Sequence, residues 1–263
     1  MSYKGVVFDW AGTMVDFGSF APMGAFVEAF AAFQVTPTIE EARAPMGMAK
    51  RDHIEAMVKA PRLSREWTKV RGQGPTQADI DEIYKVFVPL NEKVAAKHAK
   101  LVPGAKDVVS SLRRRGLKIG STTGYTRSIM EHVIPVAAEQ GYMPDNVVCS
   151  DDLKEGRPGP LGMYKCCVDL CVHPVTSLIK VDDTVPGIQE GASAGCLTIG
   201  VALSGNYVGL TVDELKKLDD ATLELNRAFA SQKLIEAGAD HVIDTVADLP
   251  SLLNQLNIIQ TAL

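Results

Sequence analysis

Apolar and polar residues follow two different periods along this chain, and the change between them sets the predicted architecture. The first apolar run, Val6-Val7-Phe8, is short and unbroken, as in a strand buried on both faces of a parallel sheet. It stops at Asp9, and Gly12-Thr13 supply a turn. From about residue 20 to residue 100 the apolar positions have helical spacing. Phe26, Phe30 and Phe33 stand at i, i+4 and i+7 of a helix predicted over 23–33. Pro37-Thr38 opens a short acidic helix at Ile39, which Pro45 and Gly47 break. Further helices are predicted over 49–59, 64–70 and 76–97. The last begins at Thr76 with Asp79 three residues on, a near capping box.

From Leu101 strands and helices alternate. Strands are predicted over 117–123, 146–150, 177–181, 197–203 and 241–243, with helices over 103–115, 126–139, 163–170, 187–194, between 213 and 237, and over 249–256. Such βαβ alternation predicts an α/β fold, a doubly wound parallel sheet with helices on both faces. The expected organisation is a core of residues 1–19 and 101–263 with an all-helical module, residues 20–100, inserted after the first strand.

Composition narrows the class. The 263 residues are 46% hydrophobic and 22% charged, enough for a substantial core. The net charge is −5, and the one basic triplet, Arg113-Arg114-Arg115, falls at a helix end before Gly116, so no nucleic-acid surface is expected. The apolar stretch 20–33 is too short for a membrane span and contains Glu28. Cysteines at 149, 166, 167, 171 and 196 form no C-x-x-C pair and are expected as reduced, largely buried thiols in a cytoplasmic protein.

Candidate chemistry gathers at predicted strand ends, where open α/β sheets bind ligands. There stand Asp9, Thr123-Gly124, Arg157 in the loop 154–160, and the pair Asp182-Asp183. Carboxylates suit Mg2+, and a non-titrating arginine suits crowded anions. Lys50, near a predicted helix amino end and beside Arg51, is expected to have a lowered pKa, as Schiff-base chemistry requires. His53 lies three residues on, on the same helical face, placed to move protons.

The segment Asp9-Trp10-Ala11-Gly12-Thr13 resembles the first motif of the haloacid dehalogenase superfamily, and the other three features match its remaining motifs in order. The resemblance implies Asp9 as a nucleophile forming an aspartyl phosphate. Asp9, the Ala11 carbonyl and Asp183, with Asp182 as a further candidate, would hold Mg2+. The Thr123 hydroxyl and Gly124 amide would bind phosphoryl oxygens, and Arg157 would balance their charge. Most phosphatases of the superfamily carry a second Asp where this chain has Ala11. Some members carry an Asp four residues after the metal-binding one, where this chain has Gly187.

Five stretches together, D-W-A-G-T-x-V-D (9–16), F-A-P-M (20–23), P-M-G-x-x-K-x-D-H (45–53), G-S-T-T-G-Y-T (120–126) and G-R-P-x-P (156–160), resemble the phosphonatase branch, the phosphonoacetaldehyde hydrolase family, from residue 3 to about 210. That resemblance implies cleavage of a P–C bond in an organophosphonate substrate during 2-aminoethylphosphonate degradation. Lys50 would form a Schiff base with the aldehyde, so that no acid is needed at position 11. Met46, Gly47, His53 and Tyr125 would surround Lys50 and the substrate, the helical module would act as a lid, and the protein would be a homodimer. Ser19 replaces a cysteine of some members and takes no catalytic role. The competing readings are a Mg2+-dependent phosphate-ester phosphatase or phosphomutase, and a non-catalytic phosphoryl-binding protein.

Overall fold

Val6, Val7 and Phe8 are fully buried in β1 (Gly5–Phe8), an interior strand of a five-stranded sheet. The computed structural model describes residues 3–258, so the ends of the expected core, 1–2 and 259–263, lie outside the described residues. The chain leaves β1 for five helices: α1 (Ala21–Ala31), α2 (Ile39–Arg43), α3 (Lys50–Lys59), α4 (Pro61–Arg71) and α5 (Gln77–Ala95). It returns through α6 (Ala105–Arg114), β2 (Lys118–Ser121), α7 (Arg127–Glu139), α8 (Leu161–Leu170), β3 (Leu178–Asp182), α9 (Val185–Ser193), β4 (Leu197–Val201), α10 (Val212–Leu215), α11 (Asp220–Glu236), β5 (His241–Ile243) and α12 (Leu249–Gln255). All pairings are parallel, in the order β2-β1-β3-β4-β5. The order reverses at the β1–β3 pair, where doubly wound sheets open their ligand crevice.

The strand expected over 146–150 does not form. Val148 makes one bridge to Thr122, and among the described residues the only other backbone bond from this stretch to the β2 edge goes from the Asp145 amide to the Ile119 carbonyl. A ladder cannot continue, because a short 3-10 turn (Ser150–Asp152) follows at once, with Asp152 capping the Cys149 amide.

Two separate apolar clusters match the two periods of the sequence. Sheet residues such as Val6, Phe8, Ile119, Ile179 and Ile199 pack with α6, α7 and α12. Phe26, Phe30, Ile54, Trp67, Ile83 and Phe87 pack among the helices after β1. Phe33 falls just past the end of α1 and packs only partly buried against this second cluster. The α5 start is a full capping box: Thr76 accepts from the Asp79 amide, and the Asp79 carboxylate accepts from the Thr76 amide. Among the described residues no helix is long and apolar enough to cross a membrane.

Candidate active site

The loops after β1 and β3 bring three carboxylates together. Asp9 follows β1, Asp182 ends β3 and Asp183 comes next; one oxygen from each lies within 4.8 Å of the others. All three are buried. The β1 loop is folded back on the Trp10 carbonyl, which accepts from the amides of Thr13, Met14 and Val15. That turn aims the Thr13 hydroxyl at Asp183 Oδ1 (2.9 Å), while the Asn206 amide donates to Asp183 Oδ2 (2.8 Å).

Two buried cations face this cluster. Arg157 places Nη1 2.9 Å from Asp9 Oδ1, Nη2 3.3 Å from Asp182 Oδ2 and Nε 3.0 Å from Glu190 Oε2. Its Nη2 also donates to the carbonyl and hydroxyl oxygens of Thr122. Lys180, in the middle of β3, lies 3.1 Å from Asp182 Oδ2 and 3.0 Å from Glu190 Oε2, and donates to Thr122 Oγ1. Both cations thus fix Asp182 and Glu190, and only Arg157 reaches the tip of Asp9.

Four buried carboxylates against two cations leave an anionic excess, and the titration behaviour follows it. Burial, followed by the charge of Asp182, pushes Asp9 up to about 6 against the pull of Arg157. Burial, Asp9 and Asp182 push Asp183 well above the carboxylate range. Asp182, despite its burial, is held below its ordinary value by Arg157 and Lys180. Asp9 and Asp183 are therefore the members short of positive charge. Among the described residues no hydrogen bond engages the Ala11 carbonyl. Two undercompensated carboxylates beside a free carbonyl oxygen fit a hard divalent cation such as Mg2+.

Gly187 and Asp182 are linked by space. A Cβ at Gly187 would lie 1.9 Å from Asp182 Oδ2, so the carboxylate carried by the strand fills the volume that a side chain from α9 would need. Thr184 holds Asp182 there, donating through both its amide (3.0 Å) and its hydroxyl (2.7 Å) to Oδ1.

The helical residues close the other side. A small cavity is lined by Asp9, Ala11, Met46, Gly47, Lys50, Thr123, Gly124, Tyr125 and Arg157, with Ser19 and Thr184. Gly47, with φ +94°, carries the chain against the core: a Cβ there would stand 2.2 Å from Thr184 Oγ1. The Thr123 hydroxyl accepts from the Tyr125 amide (3.1 Å), keeping its own proton available toward the cavity.

Lys50 begins α3 and is buried, with Nζ 4.8 Å from the Tyr125 ring centre and 5.7 Å from that of Phe26. Burial lowers its pKa to about 7; Asp9 opposes this and Arg157 reinforces it. Arg51 plays no part, because it turns outward to Asp81 (2.7 Å) and Glu55. The expected influence of a cationic neighbour is real, but the neighbour is Arg157. His53 does not line the cavity. It is fully buried, stacked 4.0 Å from the Phe26 ring centre, with Nε2 2.8 Å from the Ala42 carbonyl. A carbonyl can only accept, so Nε2 carries the proton and Nδ1 keeps a lone pair without a partner. Burial, then the Lys50 charge, hold its pKa well below 6.5.

Asp182 and Asp183 sit beneath the cavity wall rather than in it. Sequence reasoning passed over Lys180, Glu190, Thr184 and Asn206. Lys180 had a signal, a lysine inside the otherwise apolar strand Leu178–Asp182. Glu190 lies on α9 among small residues and had none.

Residues 3–195 match the family model described as haloacid dehalogenase-like hydrolase. Curated relatives named phosphonoacetaldehyde hydrolase include that of Paraburkholderia phytofirmans, 51% identical over 94% of this chain and 92% of its own. That of Vibrio cholerae is 48% identical over 96% and 94%. A crystal structure of a phosphonoacetaldehyde hydrolase-like protein from Oleispira antarctica superposes with a TM-score of 0.95 at 40% identity, covering 98% of this chain and 93% of that one. The parallel sheet, the acidic cluster at its switch point and these likenesses agree: the chain belongs to the haloacid dehalogenase-like hydrolases, within their phosphonoacetaldehyde hydrolase branch.

Proposed function

We propose that the protein hydrolyses the carbon–phosphorus bond of phosphonoacetaldehyde to acetaldehyde and inorganic phosphate. The observation that carries this reading is one cavity presenting Asp9, Ala11 and a buried Lys50 whose pKa is lowered to about 7. An ester phosphatase of this architecture needs a proton donor at position 11 for its leaving alkoxide. A P–C bond needs an electron sink instead, and a neutral amine facing the nucleophile can build one.

In this reading Lys50 Nζ adds to the aldehyde carbon, and loss of water gives a protonated imine. Burial favours the neutral amine before the addition, and the faces of the Tyr125 and Phe26 rings beside Nζ suit the cationic imine that follows. Forming the protonated imine from the neutral amine consumes one proton from solvent: His53 Nδ1, a buried ring nitrogen without a hydrogen-bond partner, relays the amine proton to the former aldehyde oxygen, and the solvent proton carries that oxygen away as water. Asp9 Oδ2, the oxygen not paired with Arg157, attacks phosphorus. The P–C bonding pair moves into the imine to leave an enamine on Lys50, and an aspartyl phosphate forms on Asp9. Protonation of the enamine carbon and hydrolysis release acetaldehyde and regenerate Lys50; a second water releases phosphate. Arg157, Thr123 and the Gly124 amide bind the phosphonyl oxygens. Asp9, Asp183 and the Ala11 carbonyl would hold Mg2+, which supplies charge neutralisation between nucleophile and phosphonyl group. Met46 and Gly47 close the aldehyde end, and the helical module excludes water as a lid.

Cyanoborohydride reduction in the presence of phosphonoacetaldehyde is expected to fix a two-carbon adduct on the peptide carrying Lys50, and Lys50→Arg to abolish both adduct and turnover. Full activity in Lys50→Arg, or sugar phosphate esters turned over more efficiently than phosphonoacetaldehyde, would defeat the proposal.

A further inference from the structure

Away from the cavity, the helical residues grip the core through one arginine. Arg43 ends α2, half-buried, over the Phe20 ring (5.3 Å). Its Nη1 lies within donating distance of the carbonyls of Gly18 (2.9 Å), Ser19 (3.4 Å) and Asn206 (3.1 Å), and of Asn206 Oδ1 (3.2 Å). Asn206 Nδ2 returns a bond to the Arg43 carbonyl (3.3 Å). The backbone amide of the same Asn206, buried, donates to Asp183 Oδ2. Thus one core residue holds Arg43 with its side chain and Asp183 with its main chain. Between Arg43 and Lys50 lie Met46 and Gly47, both lining the cavity.

We propose that Arg43 is a positioning residue that couples the seating of the Lys50-bearing segment to the geometry of Asp183; the proposal rests on the reading of Asp183 as a Mg2+ ligand. When the segment lifts, Arg43 leaves Asn206, and the loop that orients Asp183 loses its clamp. Coupling of this kind is reciprocal, so Mg2+ at Asp183 favours the seated segment by the same factor.

The test measures Mg2+ binding by calorimetry, without substrate, on the unaltered chain, Arg43→Ala, Asn206→Ala and the double variant. Arg43→Ala is expected to weaken Mg2+ about tenfold, within the range for residues linking two sites. Asn206→Ala keeps the amide on Asp183 but loses the reciprocal side-chain bonds, so it weakens Mg2+ less. The double variant should be no worse than Arg43→Ala, since both changes break one linkage. Arg43→Lys keeps the charge without the multiple bonds and should recover little. Hydrogen exchange adds a readout that mere stability would not move: Mg2+ should protect residues 43–50 in the unaltered chain and not in Arg43→Ala. Unchanged Mg2+ affinity in Arg43→Ala, or losses that add in the double variant, would overturn the coupling. No Mg2+ binding by the unaltered chain would overturn the metal reading with it, whereas a failure to turn over phosphonoacetaldehyde would count against the proposed substrate alone.

Discussion

Replacing Lys50 by methionine is predicted to stabilise the protein while abolishing turnover, by an amount that depends on pH in a calculable way. The side chain is 3% exposed and its amine is pushed from 10.5 to about 7. In the unfolded chain at pH 7 the amine is fully protonated and hydrated; in the fold half of that protonation is lost. Each pKa unit is worth about 1.4 kcal/mol, so the lowered value costs the folded state roughly 4 kcal/mol at pH 7. The sign follows from a lysine whose folded pKa lies below its unfolded one. The cost is absent above pH 10.5, grows as pH falls toward 7, and is constant below that. At pH 9 the same arithmetic leaves about 2 kcal/mol. Methionine matches the stem and carries no charge, so denaturant unfolding should find Lys50→Met more stable than the parent, with the gap about 2 kcal/mol larger at pH 7 than at pH 9. A gap that is independent of pH, or that widens toward pH 9, would refute the assignment of Lys50 as a desolvated amine.

Three further outcomes follow from the site. Ala11→Asp places a carboxylate in the cavity that Lys50 lines; raising the lysine by about one unit would cut its neutral fraction at pH 7 roughly fivefold, and kcat/KM for phosphonoacetaldehyde should fall at least that much. Asp9 is raised to about 6, so as pH falls through 6 it takes up a proton that the cation must displace; Mg2+ affinity should drop over that window, with proton release detectable by calorimetry in buffers of different ionisation enthalpy. Lys180→Met leaves Asp182 and Glu190 with Arg157 alone, and should destabilise the fold by about 3–5 kcal/mol in chemical denaturation, a cost absent if Lys180 merely filled space.

The positions that pattern and chemistry identify together were legible from the sequence. Asp9 is read from the end of an unbroken apolar run, and Lys50 from the resemblance of residues 45–53 to the phosphonatase branch, and the fold brings Asp9, Gly47 and Lys50 to one cavity. Local pattern failed where long-range partners decide. The run 146–150 has strand composition, yet only Val148 finds a bridge. Burial of Lys50 comes from Phe26 and Tyr125, distant in sequence, rather than from its neighbour Arg51. Glu190 matters because α9 packs it against Thr122, 68 residues away, and Arg157, 33 away, separations that no helical period encodes.

The shared volume of Asp182 and Gly187 bears on how such sites diversify. A carboxylate can enter that space from the strand or from the helix, but a chain bearing both would have to place two groups in one volume, and a chain bearing neither would leave Arg157 and Lys180 with one partner fewer. Either intermediate is worse than the two end states, so single substitutions cannot travel between them without loss. The two positions should therefore behave as one heritable unit, changing together across related chains or not at all, and a comparison that scores them separately would mistake an exchange for the disappearance of a ligand.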